Sequence, residues 1–326
     1  MPTQDRTDPA VRELLLLHVA RRTGAMEALA RTTGTVQGVA RETGIEERAA
    51  RLLVEALAER GFLKRLGGEY QPTNRTLGFL AKTDVRSIGR LPHELDALDA
   101  WLALPETMRT GERPSGASRR PSASGDSERP ERSPDWTRNA MGAAAARDEA
   151  AVRAAVTAAV RYYPRAERVL VLADGPGRHA VEFARRGYDA HLLDAPEVTE
   201  VNEAALEHEA VSLAAGDPLD GGAYPEADLV FAVGLLSRYG AAHLRRVFAN
   251  ARGTLTDDGV AVFVGSVRGE TPGAALRALH GYALHGEGGA HTADELTGWL
   301  AEAGLAPDVI EIPGLDDRAV AGRVVD

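Results

Sequence analysis

Three short stretches carry the residues best suited to holding a polar ligand. The stretch VLVLADGPGRHAVEFARRG (169–187) has the pattern of an apolar strand, a turn with Asp174, Gly175 and Gly177, and a helix. Glycines in such a turn let backbone N–H groups approach an anion or a carboxylate closely. Asp194 ends the next apolar run, and Asp217 in AAGDPLDG stands where a third strand should end. Carboxylates at this edge of a sheet can accept hydrogen bonds from ribose hydroxyls, so the set predicts a nucleotide-type cofactor site.

Each of these features also has a plainer structural explanation. DGPG alone is a weak signal, Asp194 could be the N-cap of a helix over PEVTEVNEA, and Asp217 could be a turn residue before Pro218. The order of the three along the chain favours the cofactor site. Val171 and Ala173 stand where such loops usually have an acid and a glycine, so we expect an altered loop.

Alternating strands and helices would position these residues. Four apolar runs read as strands: RVLVLA (168–173), DAHLLD (189–194), ADLVFAV (227–233) and GVAVFVGS (259–266). The helical patterns between them predict βαβ units, hence an α/β Rossmann-like domain whose parallel sheet is covered by helices on both faces. At the carboxyl end, PDVIEIPGLDDRAVAGRVV predicts an antiparallel hairpin at the sheet edge.

The amino-terminal part has the pattern of a winged helix. VQGVARETGIEERAARLLVEALAERGFLKRLGGEYQPT reads as helix, turn, helix and a hairpin with Leu66-Gly67-Gly68 at its tip. Such a unit could bind DNA through its second helix or serve as a dimerisation scaffold. The second helix mixes glutamates with arginines, and the net charge is -10. A phosphate backbone favours basic surfaces, so we expect no nucleic-acid partner.

These patterns divide the chain into three parts. We expect a winged-helix dimerisation domain over 1–108, a disordered linker or loop over 109–135, and the Rossmann-like domain over 136–326. The middle part, RTGERPSGASRRPSASGDSERPERSPD, has almost no apolar residue to bury. The run ELDALDAWLALP (94–105) offers more apolar surface than one small domain needs, which predicts a homodimer.

Composition narrows the class of protein. The 326 residues include no cysteine, so disulfides and thiolate metal sites are excluded, and we expect no metal site. No apolar run approaches the roughly 20 residues of a membrane span, and no signal peptide is evident. We therefore expect a cytoplasmic protein.

With these elements the chain resembles a known family, the S-adenosylmethionine-dependent O-methyltransferases with an amino-terminal winged-helix dimerisation domain. The resemblance is carried by LLDAPEV (192–198), GDPLD (216–220), ADLVFAV…NARGTLTDDG (227–259) and GGAHTADELTGWLAEAGL (288–305). It implies S-adenosylmethionine as cofactor and a small-molecule substrate. It further implies that Gly175 and Gly177 cradle the methionine end, that Asp194 binds the ribose and that Asp217 lies against the adenine. The family has an acid at the position of Val171, and this chain has an acid further along the turn, at Asp174. We therefore include Asp174 in the predicted site.

The chain departs from the family where the general base is expected. The family has a histidine after the fourth strand, followed by Asp and Trp, and this chain has Ser237, Arg238 and Tyr239. A serine hydroxyl is too weak a base to take a phenol proton, so no catalytic residue is assigned. His280, His285 or His291 could replace the base, or could be plain polar residues. Two functions stay open: methyl transfer without the usual histidine, and a non-catalytic ligand sensor or winged-helix regulator.

Overall fold

The structure is a computed structural model and describes residues 11–76, 88–110, 118–120, 129–131 and 134–325. The chain forms two compact units. The first contains Met1–Asp99 and Arg138–Ala146, and the second contains Ala100–Thr137 and Arg147–Asp326. The domain boundaries at 108 and 135 stay predictions.

The first unit begins with four helices and a hairpin. The helices are α1 (Val11–Arg22), α2 (Ala25–Arg31), α3 (Val36–Thr43) and α4 (Glu47–Glu59), and the antiparallel strands are β1 (Leu63–Leu66) and β2 (Glu69–Pro72). Gly44 ends α3 with φ 73°, a left-handed conformation that glycine adopts without strain. Val39, Val54, Leu57 and Phe62 are fully buried in one apolar core. Two helices followed by a hairpin is the element order predicted for a winged helix.

Two long helices and two short strands follow. Helix α5 is Leu91–Thr110, strands β3 (Ser118–Arg120) and β4 (Arg129–Glu131) pair antiparallel, and helix α6 is Pro134–Ala145. Most of the predicted linker, 111–117, 121–128 and 132–133, lies outside the described residues. Its predicted disorder is therefore not tested.

The second unit contains a seven-stranded mixed sheet. Its elements are α7 (Glu149–Tyr162), β5 (Arg168–Leu172), α8 (Arg178–Arg185), β6 (Asp189–Asp194), α9 (Pro196–Ala205), β7 (Val211–Ala215), β8 (Ala227–Val233), α10 (Leu235–Arg238), α11 (Ala241–Thr254), β9 (Leu255–Gly265), α12 (Ala274–His285), α13 (Ala293–Glu302), β10 (Leu305–Glu311) and β11 (Arg318–Val324). The strand order is β10-β11-β9-β8-β5-β6-β7. Strands β5 to β9 run parallel, whereas β11 pairs antiparallel with β9 and with the edge strand β10. The predicted strands, and the antiparallel pair at the carboxyl end, are all present.

Alternate residues of the central strands enter two different cores. In β5, Leu170 and Leu172 belong to the core on one face, and Val169 and Val171 belong to the core on the other. A strand buried on both faces has no polar face, which is why these strands read as continuous apolar runs. Because β5, β6, β7 and β8 run parallel, their carboxyl ends meet at one edge of the sheet. The loops at this edge carry the polar residues.

Within the described residues, no helix has the length and apolar character needed to cross a membrane.

Candidate functional site

The turn after β5 has a left-handed backbone at three positions. Ala173 has φ 50°, Gly175 φ 62° and Gly177 φ 71°. Among the described residues Ala173 is the only residue other than glycine with a positive φ. This conformation costs an alanine roughly 1–2 kcal/mol. The Ala173 N–H donates to the Leu193 carbonyl at 2.8 Å, which fixes the start of the turn against β6.

Gly177 ends the turn close to the ends of two leucine side chains. A Cβ at this position would lie 2.8 Å from Leu206 Cδ1 and 3.1 Å from Leu192 Cδ2. Both the backbone conformation and the close approach therefore favour glycine. The predicted role of Gly175 and Gly177 as a cofactor cradle depends on this tight turn.

The carboxylate of Asp174 is committed to helix α8. One oxygen lies 2.5 Å from Nδ1 of His179, and the other accepts the backbone N–H groups of His179 at 2.7 Å and Ala180 at 3.3 Å. Both side chains are almost completely buried. A carboxylate at this position satisfies N–H groups that a helix start leaves without partners and complements the helix dipole. The Asp174 side chain thus points into the helix start.

Asp194 joins the turn to the end of β6. Its Oδ2 accepts the Gly175 N–H at 2.8 Å, and its Oδ1 accepts the N–H of the following Ala195, also at 2.8 Å. Helix α9 has Ala195 as its N-cap and no side-chain cap, so Asp194 does not cap it. The residue predicted to bind ribose and the predicted glycine turn are therefore in direct contact.

The environment of Asp194 disfavours its charge. Burial raises the pKa of the Asp194 carboxyl from 3.8 to about 6, although the N–H groups of Gly175 and Ala195 and the charge of Arg238 act to lower it. A raised pKa means that the protein alone incompletely stabilises the ionised form. Additional hydrogen-bond donors from a ligand would supply what is missing.

Asn202 supports the same turn and was not found from the sequence. It is fully buried on α9, and its amide donates to the Gly175 carbonyl at 2.7 Å. Its side-chain oxygen is buried without a hydrogen-bond partner in the described part of the chain. The only sequence signal is a polar residue on the inward face of NEAALEH, which the helical pattern alone does not distinguish from a solvated one.

Asp217 lies two residues beyond the end of β7. Its Oδ1 accepts the Leu219 N–H at 2.9 Å, so it does form the turn that the plainer explanation anticipated. The Gly216 N–H donates to the Asp194 carbonyl at 2.9 Å, which ties this turn to the end of β6. The three predicted stretches therefore lie beside one another at the carboxyl edge of the sheet.

The segment after β8 places an arginine at this edge. Gly234, with φ 86°, leads into α10, and Ser237 uses its hydroxyl to donate to the Gly234 carbonyl at 3.3 Å. Arg238 ends α10, and its guanidinium carbon lies 5.6 Å from the centre of the Tyr239 ring. Burial lowers the pKa of Arg238, but four groups outweigh this effect and raise it: Tyr239, Asp194, Asp217 and Glu287. The sequence showed Arg238 only as a departure from a motif.

A histidine and a glutamate that the sequence did not reveal lie next to this segment. His243 Nδ1 is 2.5 Å from Glu287 Oε1, and the same oxygen accepts the Gly240 N–H at 2.9 Å. Both side chains are about one-third exposed. His243 lies in the first turn of α11, where the helical pattern reads as an ordinary surface position.

The histidines named from the sequence have different surroundings. His291 is buried, its Nε2 contacts the Tyr239 carbonyl at 2.9 Å, and its ring packs edge-on against Trp299. His280 accepts the Trp101 indole N–H on Nδ1 at 3.0 Å, which leaves any ring proton on Nε2. His285 is half-buried at the end of α12. Within this geometry His291 has a structural role, because its Nε2 is hydrogen-bonded to the backbone carbonyl of Tyr239.

The chain is similar in fold to solved methyltransferase structures. An O-methyltransferase family protein from Burkholderia thailandensis matches 97% of this chain and 95% of its own, with 21% identity and a TM-score of 0.66. The mitomycin 7-O-methyltransferase MmcR matches 96% of this chain and 94% of its own, with 21% identity and a TM-score of 0.66. Human N-acetylserotonin methyltransferase, solved with S-adenosylmethionine, matches 99% of each chain, with 18% identity and a TM-score of 0.62.

No family model matches the sequence, and no curated protein matches it either. At these identities the solved structures establish the fold. They confirm the predicted fold class, an α/β Rossmann-like domain preceded by a helical region.

The tight turn at Gly177 gives a prediction about stability. Gly177→Ala and Gly187→Ala both place alanine at a positive φ, but only the first meets neighbouring side chains. We expect Gly177→Ala to lose about 1–3 kcal/mol of unfolding free energy beyond the loss in Gly187→Ala, because of overpacking against Leu192 and Leu206. Urea unfolding of both variants measures this difference. Equal losses would mean that the turn can move away from the added methyl group.

Proposed function

We propose that this protein is an S-adenosylmethionine-dependent methyltransferase that transfers the methyl group to an oxygen of a small molecule. The observation that carries the proposal is the buried Asp194 carboxylate hydrogen-bonded to the glycine turn at the carboxyl edge of the sheet. In open α/β sheets, ligands bind in the crevice outside the carboxyl ends of the strands.

The residues present suit the ribose part of this cofactor. Each oxygen of Asp194 accepts one backbone N–H, and a carboxylate oxygen can accept more than one hydrogen bond. Burial raises the pKa of Asp194, and further hydrogen-bond donors would stabilise its charged form. We propose that Asp194 holds both ribose hydroxyls, that Asp217 lies against the adenine, and that Gly175 and Gly177 admit the methionine end.

Asp174 contributes to this site in a different way from the other residues. Both of its carboxylate oxygens are used by His179 and the start of α8. We propose that Asp174 shapes the turn through these bonds and reaches the cofactor only with its backbone. Val171, at the position where an acid was expected, is buried in the strand and faces the apolar core.

The proposed reaction requires the protein to align the acceptor oxygen with the methyl group more than to transfer a proton. Bound S-adenosylmethionine supplies an electrophilic sulfonium methyl. Methyl transfer is an in-line displacement, and holding the acceptor oxygen in line can contribute several kcal/mol to the rate. Ser237 cannot serve as base, and its hydroxyl already donates to the Gly234 carbonyl. The proposed reaction therefore proceeds without the family's histidine base.

A non-catalytic regulator is the competing function. It would use α4 on DNA, and that helix carries exposed glutamates beside its arginines. The structure provides no observation that favours this alternative over catalysis. A gel shift on genomic fragments, without binding of S-adenosylhomocysteine, would favour the regulator.

We also propose that the protein is a cytoplasmic homodimer. Helix α1 exposes an apolar stripe of Val11, Leu15 and Val19, with 73%, 43% and 47% of each residue accessible. These residues recur every fourth position and so lie on one face of the helix. An unpaired apolar face of this kind is typical of a surface covered by a second copy.

The affinity for S-adenosylhomocysteine tests the proposed role of Asp194. Asp194→Asn keeps the size of the side chain but removes the charge and one acceptor. We expect affinity to fall about ten- to a hundred-fold, the range for hydrogen bonds to a charged group. Calorimetric titration measures it, with Asp189→Asn as control, because Asp189 is exposed at the opposite end of β6. Equal binding by wild type and Asp194→Asn would remove Asp194 from the site.

The same affinity should depend on pH. The pKa of Asp194 is raised to about 6, and ribose hydroxyls donate to the ionised form. Affinity should therefore be constant above the pKa and decrease as the pH falls below it, by about tenfold per unit at most. Asp194→Asn should lose this dependence. A wild-type affinity that does not change between about pH 7 and about pH 5 would contradict the ribose assignment.

The dimer can be tested at Leu15. We expect wild type to sediment as a dimer at micromolar concentration and Leu15→Glu as a monomer, because burying an unpaired carboxylate in an apolar interface is costly. Leu276→Glu is the matched control, since Leu276 is exposed on α12. A dimeric Leu15→Glu variant would place the interface elsewhere, and a monomeric wild type would reject the dimer.

A further inference from the structure

Arg238 is a charged group that the proposed reaction has not yet used. It ends α10 directly after β8, and its side chain is half-buried. In the described part of the chain, its guanidinium makes no hydrogen bond and no ion pair. A guanidinium carries five N–H donors in a fixed planar arrangement that matches carboxylates and other anionic oxygens.

The charges around Arg238 come from separate elements of the site. Asp194 ends β6, Asp217 follows β7, Glu287 follows α12, and Tyr239 is the next residue along the chain. The three carboxylates would repel an anion that entered this site. An anionic ligand could therefore be held here only by direct contact with Arg238. The carboxylates around Arg238 stabilise the positive charge of its guanidinium.

The two residues that flank Arg238 in the chain, Ser237 and Tyr239, are poorly suited to removing a proton from an acceptor. The Ser237 hydroxyl is bonded to the Gly234 carbonyl, and Tyr239 is buried. Arginine stays protonated at any relevant pH. A guanidinium beside the acceptor favours the loss of its proton before methyl transfer, because the positive charge stabilises the resulting anion.

We propose that Arg238 binds the methyl-accepting oxygen of the substrate as an anion, so that the substrates are acidic phenols, enols or carboxylic acids. This inference rests on the proposed function. The ionised oxygen forms the new C–O bond while the C–S bond of the cofactor breaks and leaves its electron pair on sulfur. The proton of the acceptor passes to water when the acceptor ionises, before the methyl group is transferred. The ring of Tyr239 orients the guanidinium from one side.

The test uses 4-nitrophenol, an acidic phenol whose ionised form absorbs visible light. Its ionisation is followed by absorbance on the protein, with and without saturating S-adenosylhomocysteine. On wild type we expect the bound phenol to ionise at a pH about one unit lower than the free phenol, a tenfold preference for the anion. Arg238→Met should abolish the shift, Arg238→Lys should keep part of it, and Arg246→Met, a change at an exposed residue of α11, should keep all of it.

The outcomes separate this inference from the proposed function. A shift that survives in Arg238→Met, or the absence of saturable binding at millimolar probe, would overturn the role of Arg238. A shift that depends on Arg238 in a protein that does not bind S-adenosylhomocysteine would support the anion site while rejecting the methyltransferase. Arg238→Met could instead weaken S-adenosylhomocysteine more than tenfold and leave adenosine unchanged. Arg238 would then hold the carboxylate of the cofactor, and the assignment to the substrate would be wrong.

Discussion

The hydrogen bond from the Gly175 N–H to the Asp194 carboxylate is the contact on which the site depends. It joins the turn after β5 to the end of β6, and Asn202 holds the carbonyl of the same glycine from α9. The carboxylate is buried at a cost that its two backbone donors only partly offset, so its pKa is raised to about 6. A buried charge that the protein satisfies incompletely is a common feature of binding and catalytic sites.

Several charged groups lie together at this edge of the sheet. Asp194, Asp217 and Glu287 make the surroundings acidic, which suits a cationic sulfonium, and Arg238 is the positive group whose charge acts on Asp194. In the proposed reaction this environment would favour an anionic acceptor only where that acceptor touches the guanidinium. Ser237 in place of a histidine base and Arg238 beside it are both consistent with the mechanism that we propose for acidic acceptors.

The strands and the position of Asp194 could be predicted from the sequence because β5, β6, β8 and β9 are buried on both faces and read as apolar runs. The contacts at the site could not, because they join residues distant in the chain. The sequence predicts Asp174 as a cofactor-site residue because it is an acid in the turn. In the structure its carboxylate accepts backbone N–H groups at the start of α8. The local sequence does not reveal this orientation. Asn202 and His243 each lie on a helix whose pattern gives no sign of a partner across the fold.

A crystal structure with S-adenosylhomocysteine tests the central claim most directly. We expect both ribose hydroxyls within hydrogen-bond distance of the Asp194 carboxylate, which should keep its bond to the Gly175 N–H. Ribose bound away from Asp194, or a turn that must open and break the bond to Gly175 before the cofactor fits, would contradict this account.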